Sequence, residues 1–197
     1  MNSDKKINEN DWLSIILEEY KSLREESLDA GNNAQSLIKF GMTAVSFVVA
    51  AGVNVWSLNP LPILVFLIFI PLLCYLILTI WVGEFARRMR AGRFIVDHIE
   101  KNINQLCANS ELPNALYWES YVRGNNITNK NKLFVWNRYA TISVFLGTAV
   151  ASILVGNYKM WNDVSLFLKY SINIVEFIVL LIVIIFNYKI GIKLRQT

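Results

Sequence analysis

Apolar residues in this chain fall in long blocks, and charged residues gather between them. Four windows read as helical spans: 40–58, 61–82, 139–156 and 172–188. A helix that crosses a bilayer core needs about 20 mostly apolar residues. The first three windows contain no charged side chain, and the fourth contains Glu176 alone. A polar stretch precedes the first apolar block near Phe40, so no cleavable signal is expected.

Ahead of the first span the pattern is a heptad seam: Leu13, Ile16, Tyr20, Leu23, Ser27, Ala30, Ala34 and Leu37. The register continues into the span as Gly41, Ala44, Val48, Ala51 and Val55, with no proline to interrupt it. One helix of roughly 45 residues, about 70 Å long at 1.5 Å per residue, is predicted. The second span runs on in the same way, with Phe85, Met89, Gly92, Val96, Ile99, Ile103 and Leu106 at heptad spacing. Asn59-Pro60 joins the two spans and makes them antiparallel. Pro71 is expected to kink the second. Residues 114–123 read as a short helix behind Pro113, with Leu116, Trp118 and Tyr121 against the seam, and 124–131 as a polar loop.

The expected fold is therefore all-α and integral to the membrane, with four transmembrane helices. A coiled-coil-like cytoplasmic stalk continues the first two. Its segments are an N-terminal stalk helix (1–39), a transmembrane hairpin (40–82), a second stalk helix with a short helix and loop (83–138), transmembrane helices three and four (139–188) and a tail (189–197).

Charge placement gives the orientation. The net charge is only +4, yet the segment after the second span holds nine basic residues, with Arg87, Arg88, Arg90 and Arg93 at the membrane edge. Lys189, Lys193 and Arg195 follow the fourth span. Positive residues near span ends mark the cytoplasmic side, so both termini are expected there. Trp56, Trp81, Trp136 and Tyr139 fall at span ends, where amphipathic rings favour the interface.

Candidate chemistry changes this picture little. Cys74 and Cys107 suggest neither a disulfide framework nor a zinc site. His98 is the only histidine, and no phosphate loop, dinucleotide glycine pattern or nucleophile elbow is present. No catalytic residue, metal site or cofactor is expected. Arg87, Arg90 and Arg93 are read on the face opposite the seam. They suit either anionic lipid headgroups or, repeated by subunits, an anionic nucleotide or oligonucleotide. Glu176 lies about one turn inside its span and suits either snorkelling or a pore or subunit contact. Asn54 and Asn173, at similar depth, complete a candidate polar layer. The small seam Gly41–Ala44–Ala51 is a second candidate pore lining.

Three segments carry a resemblance: Glu19-Tyr20-Lys21-Ser22-Leu23-Arg24-Glu25-Glu26, Arg87-Arg88-Met89-Arg90-Ala91-Gly92-Arg93-Phe94-Ile95 and Trp118-Glu119-Ser120-Tyr121-Val122-Arg123. Together they resemble small four-helix bacterial membrane proteins that serve as antiphage defence effectors, such as the channel effector of the Hailong system. The resemblance covers nearly the whole chain through motifs of moderate specificity. It implies a homo-oligomer, with a tetramer favoured, in the bacterial inner membrane. It also implies a nucleotidyltransferase partner whose single-stranded DNA oligomers act on the effector. No catalytic residue is carried over. A ligand-gated ion channel that depolarises the cell is the expected function. The alternatives are a membrane anchor or scaffold whose stalk recruits a soluble partner, and a membrane-bound enzyme.

Overall fold

The computed structural model describes residues 9–58, 60–109, 116, 130–161 and 166–196. All regular structure among them is helical. Helix α1 is Glu9–Asn54, an unbroken 46 residues. A turn closed by Leu58 N–H donating to the Val55 carbonyl leads to a second helical run. That run comprises α2 (Leu61–Leu64), a π turn (Val65–Phe69), α3 (Ile70–Phe94), a second π turn (Ile95–Glu100) and α4 (Lys101–Asn109). Helix α5 is Lys130–Met160 and α6 is Leu166–Gln196. The loop expected over 124–131 gives way to helix at Lys130. Of the short helix expected at 114–123, only Leu116 lies within the described residues.

Three helices are long and apolar enough to cross a membrane, and they mark a membrane-embedded protein: Asp11–Asn54, Leu61–Ala108 and Arg138–Met160. A shorter apolar stretch, Tyr170–Phe186, lies within α6.

The chain divides into two compact units: residues 1–32 with 87–132, and residues 33–86 with 133–197. In the first, Ile95, Ile99 and Ile103 form a core against Ile16, Tyr20, Leu23, Cys107 and Leu116. Asn104 clamps Leu116 at both backbone groups, its amide donating to the Leu116 carbonyl and its Oδ1 accepting from the Leu116 N–H at 3.2 Å. The seam of α1 holds here, with Ser27 and Ala30 buried. On the opposing run the expected register fails part-way. Ile95 is buried in place of Val96, and Leu106 is 43% exposed while Cys107 packs inward. The π turn at Ile95–Glu100 is the physical reason. A π turn widens the helix by one residue, so the inward face steps from a heptad to the Ile95–Ile99–Ile103 line.

In the second unit four helices alternate in direction. Gly41 of α1 faces Ile77 and Gly52 faces Val65 and Phe66, a register only an antiparallel pair satisfies. Gly156 of α5 lies on Leu67, while Phe145 comes near Gly41, so α5 runs parallel to α1. Helix α6 packs Ile172 near Leu67 and Met160, and Val183 near Leu78 and Trp81, so it runs with α3. The core between them is Val45, Phe66, Ile70, Cys74, Tyr75, Ile77, Phe145 and Ala149. Pro71 has no N–H to donate and its ring crowds the preceding turn. The π turn directly upstream, where Ile70 N–H donates to the Val65 carbonyl, is the local accommodation. Trp81, expected at the interface, is instead 5% exposed and packs on Phe85 at 5.7 Å. Trp56 is half-buried, edge-on to Phe66 with the Lys159 ammonium 5.3 Å from its ring.

Candidate functional sites

Every helix of the second unit exposes large apolar side chains, and α1 and α5 expose small or polar ones beside them. On α3 the exposed line is Leu72, Leu76 and Ile80. On α6 it includes Ile174, Val175, Ile178, Leu181, Ile182 and Ile185. These are the large apolar side chains that lipid accepts. On α1 the exposed positions Lys39, Thr43, Ser46, Ala50 and Asn54 recur at steps of three and four, so they share one side of the helix. Each of these five is polar or small, and the exposed Phe40, Met42, Phe47 and Val53 flank the line on the same helix. Thr43 meets its own donor need by bonding the Lys39 carbonyl at 3.0 Å. Helix α5 shows a related exposed line of Ala140, Ser143, Gly147 and Ala151. A Cβ added at Gly147 would meet no atom within 4 Å, so that surface is open.

Of the small seam Gly41–Ala44–Ala51 expected to line a pore, Ala44 is half-buried and Ala51 exposed. Gly41 is buried, and a Cβ there would sit 2.8 Å from Ile77 Cγ2. Gly41 is thus a packing residue between α1 and α3. The polar line of α1 lies on the side away from the heptad seam, outside the pattern that a seam predicts. Only Asn54, at its end, belongs to the expected polar layer.

Of the expected polar layer, Asn173 is engaged within the bundle. Its amide donates to Asn157 Oδ1 and accepts from Asn157 Nδ2, both at 2.8 Å. Asn157, placed by the sequence in a loop, is on helix α5. Replacing Asn173 by Ala is expected to cost about 1 kcal/mol, typical of interhelical hydrogen bonds in membrane proteins. Adding Asn157→Ala should recover part of that loss in detergent melting curves; a purely additive double variant would refute the pairing.

Glu176 lies on the opposite wall of a groove from Tyr75. The groove, about 370 Å³, is lined by Ile68, Leu72, Tyr75, Ser171, Ile172, Val175, Glu176 and Val179. The Tyr75 side chain is 4% exposed and its hydroxyl has no hydrogen-bond partner among the described residues.

The arginines lie in the first unit. Arg87 is half-buried, its Nε 3.9 Å from Glu26 Oε1. Arg88 is exposed and lays its guanidinium over Gly31, whose added Cβ would meet it at 3.5 Å. Arg90 is exposed and Arg93 half-buried. His98 is exposed, edge-on to Phe94 at 4.7 Å. The neighbouring Glu100 is only 1% exposed and engaged, carried inward by the π turn. Among the described residues no cluster of three or more His, Cys, Asp or Glu side chains could hold a metal ion.

Compared with protein families, curated proteins and solved structures, the chain matches none.

Proposed function

We propose that the chain is one subunit of an oligomeric, ligand-gated ion channel with four membrane spans, in which the polar line of α1 faces a central pore. The observation that carries this reading is the row Lys39, Thr43, Ser46, Ala50 and Asn54, exposed in the monomer at a depth where lipid disfavours it. Subunits arranged about an axis would remove that row from lipid and give an ion a polar path. The open Ala140–Ser143–Gly147–Ala151 line suits close helix contact between subunits, since small residues let backbones approach. Helix α6, with its greasy exposed face, is the fourth span. The first unit is the cytoplasmic stalk, and its arginines receive an anionic nucleotide or DNA oligomer. The resemblance in sequence supports a bacterial inner-membrane setting, antiphage defence as the role and a nucleotidyltransferase as partner.

Cysteine scanning in liposomes tests the pore. Charged thiol reagents should block current through Thr43→Cys, Ser46→Cys and Ala50→Cys variants and spare Leu76→Cys and Ile80→Cys. Block at the α3 positions with none on α1 would overturn the assignment. A protein that passes no current with or without oligonucleotide would favour the second reading, a scaffold that recruits a soluble partner. Ile15 and Leu28 speak for that alternative, because they stand 59% and 53% exposed in the first unit.

A further inference from the structure

The two ends of α5 mirror each other. Trp136 and Arg138-Tyr139 open its apolar stretch, and Tyr158-Lys159 and Trp161 close it. Helix α6 repeats the device, with Lys169-Tyr170 at one end and Tyr188-Lys189 at the other. None of the rings is a core residue. Tyr139, Tyr158, Tyr170 and Tyr188 stand 54%, 79%, 65% and 68% exposed, and Trp136 and Trp161 70% and 73%. Between its tyrosines α5 has no charged side chain, and α6 has only Glu176, which is half-buried. The side chains exposed there include Val144, Val150 and Leu154 on α5 and Ile174, Ile178 and Ile182 on α6.

The two stretches also match in length and level. At 1.5 Å per residue, Tyr139 and Tyr158 lie about 28 Å apart along α5, and Tyr170 and Tyr188 about 27 Å apart along α6. The paired amides of Asn157 and Asn173 hold the helices at one height beside the second pair of rings. That register brings Tyr158 level with Tyr170, and Tyr139 level with Tyr188, each to within about one 5.4 Å turn. Arg138 and Lys159 keep their charges at these levels, 5.5 Å from the ring of Phe85 and 5.3 Å from that of Trp56.

We propose that the four tyrosines are headgroup contacts that hold the α5–α6 pair in a bilayer whose hydrocarbon core is about 28 Å thick at most. The inference rests on the four-span reading and adds the lipid surface that the protein fits, slightly thinner than the average core of about 30 Å. Each phenol buries its ring among acyl chains and turns its hydroxyl to water and headgroups. Basic residues beside the rings suit the level of the phosphates. A thicker bilayer would draw rings and charges inward, and a thinner one would leave apolar side chains in water. Either cost grows with the mismatch.

Thermal unfolding in nanodiscs of monounsaturated phosphatidylcholines, with the acyl chains lengthened stepwise, tests the match. Tm should pass through a maximum at one chain length. Replacing all four tyrosines by Leu lengthens each apolar stretch by about 3 Å, one residue at either end, and should move that maximum to longer chains. Replacement by Trp, which keeps a ring with a polar tip, should leave it in place. All four side chains are more than half exposed, so neither variant opens a core cavity. A Tm independent of chain length, or a maximum that the leucines do not move, would overturn the proposal. Accessibility of Tyr170→Cys and Tyr188→Cys to impermeant thiol reagents from opposite sides separately tests that α6 spans. Labelling of both from one side would remove the four-span reading itself. Labelling from opposite sides with an unmoved maximum would remove the tyrosine contacts alone.

Discussion

Gly156→Ala is expected to destabilise the protein by about 1–3 kcal/mol, the range for overpacking a filled core. The added methyl would lie 2.6 Å from Leu67 Cγ, 2.8 Å from Cδ2 and 3.2 Å from the Leu67 backbone nitrogen. Cγ is near the root of the side chain, and the nitrogen belongs to a π turn fixed on both sides by helix. Leu67 is only 1% exposed, so it has no solvent-filled space to swing into. The clash must therefore push α5 away from the second helical run. Leu67→Ala alone should cost about 2–5 kcal/mol, because it leaves a cavity. The two changes are not independent: the new methyl occupies part of the space that the missing leucine vacates. Thermal unfolding in detergent should show the double variant less destabilised than the sum, with a coupling of about 0.5–3 kcal/mol. Strict additivity would mean that the two residues do not share this space.

Loss of the arginines is expected to have the largest functional effect. If Arg87, Arg90 and Arg93 each meet one phosphate of a single strand, three condensed counterions are displaced per subunit. With a slope of about −0.7 per phosphate, affinity should fall about twentyfold between 50 and 200 mM salt. The triple alanine variant should lose binding and flatten what salt slope remains. Structure adds a finer expectation. Glu26 stands 3.9 Å from Arg87 Nε and competes with any phosphate for it. Glu26→Gln should therefore strengthen oligonucleotide binding, while leaving the slope near its original value. Fluorescence anisotropy with a labelled DNA oligomer across a salt series measures all of these. Unaltered binding in the triple variant would remove the arginines from the ligand site.

Much of the helical architecture was legible in the sequence, for identifiable reasons. Helix α1 was predicted almost to its length, because nothing from Glu9 to Asn54 breaks a helix and the seam never changes period. Small residues at Ser27, Ala30 and Gly41 were correctly placed on the inward face, although Gly41 packs against Ile77 rather than lining a pore. Where the register drifted, backbone geometry was responsible. A heptad pattern assumes a constant helical twist, and the π turn at Ile95–Glu100 violates it, exchanging Val96 for Ile95 and turning Glu100 inward. Trp81 was misplaced because a tryptophan at a span end has the same signature whether it meets the interface or a neighbouring helix. The polar line of α1 is legible in the sequence as the residues of an apolar span that lie away from its seam. The groove could not have been found, because Tyr75 and Glu176 are a hundred residues apart and only tertiary packing joins them.

The turn at Val65–Phe69 has a wider reach than its five residues. Two of the three tight glycine contacts described in the second unit fall on it, Gly52 against Val65 and Phe66, and Gly156 against Leu67; the third is Gly41 against Ile77. One surplus residue in a turn rotates everything beyond it by about 100° about the helix axis. The azimuth of Cys74, Ile77 and Leu78, which face the core, and of Leu72, Leu76 and Ile80, which do not, is therefore stored in that single surplus residue. All six side chains are apolar, so a deletion within 65–69 would leave the hydropathy of the segment almost unchanged while turning its core face a little over a quarter turn away from the bundle. The fold of this helix is thus held in phase as much as in composition.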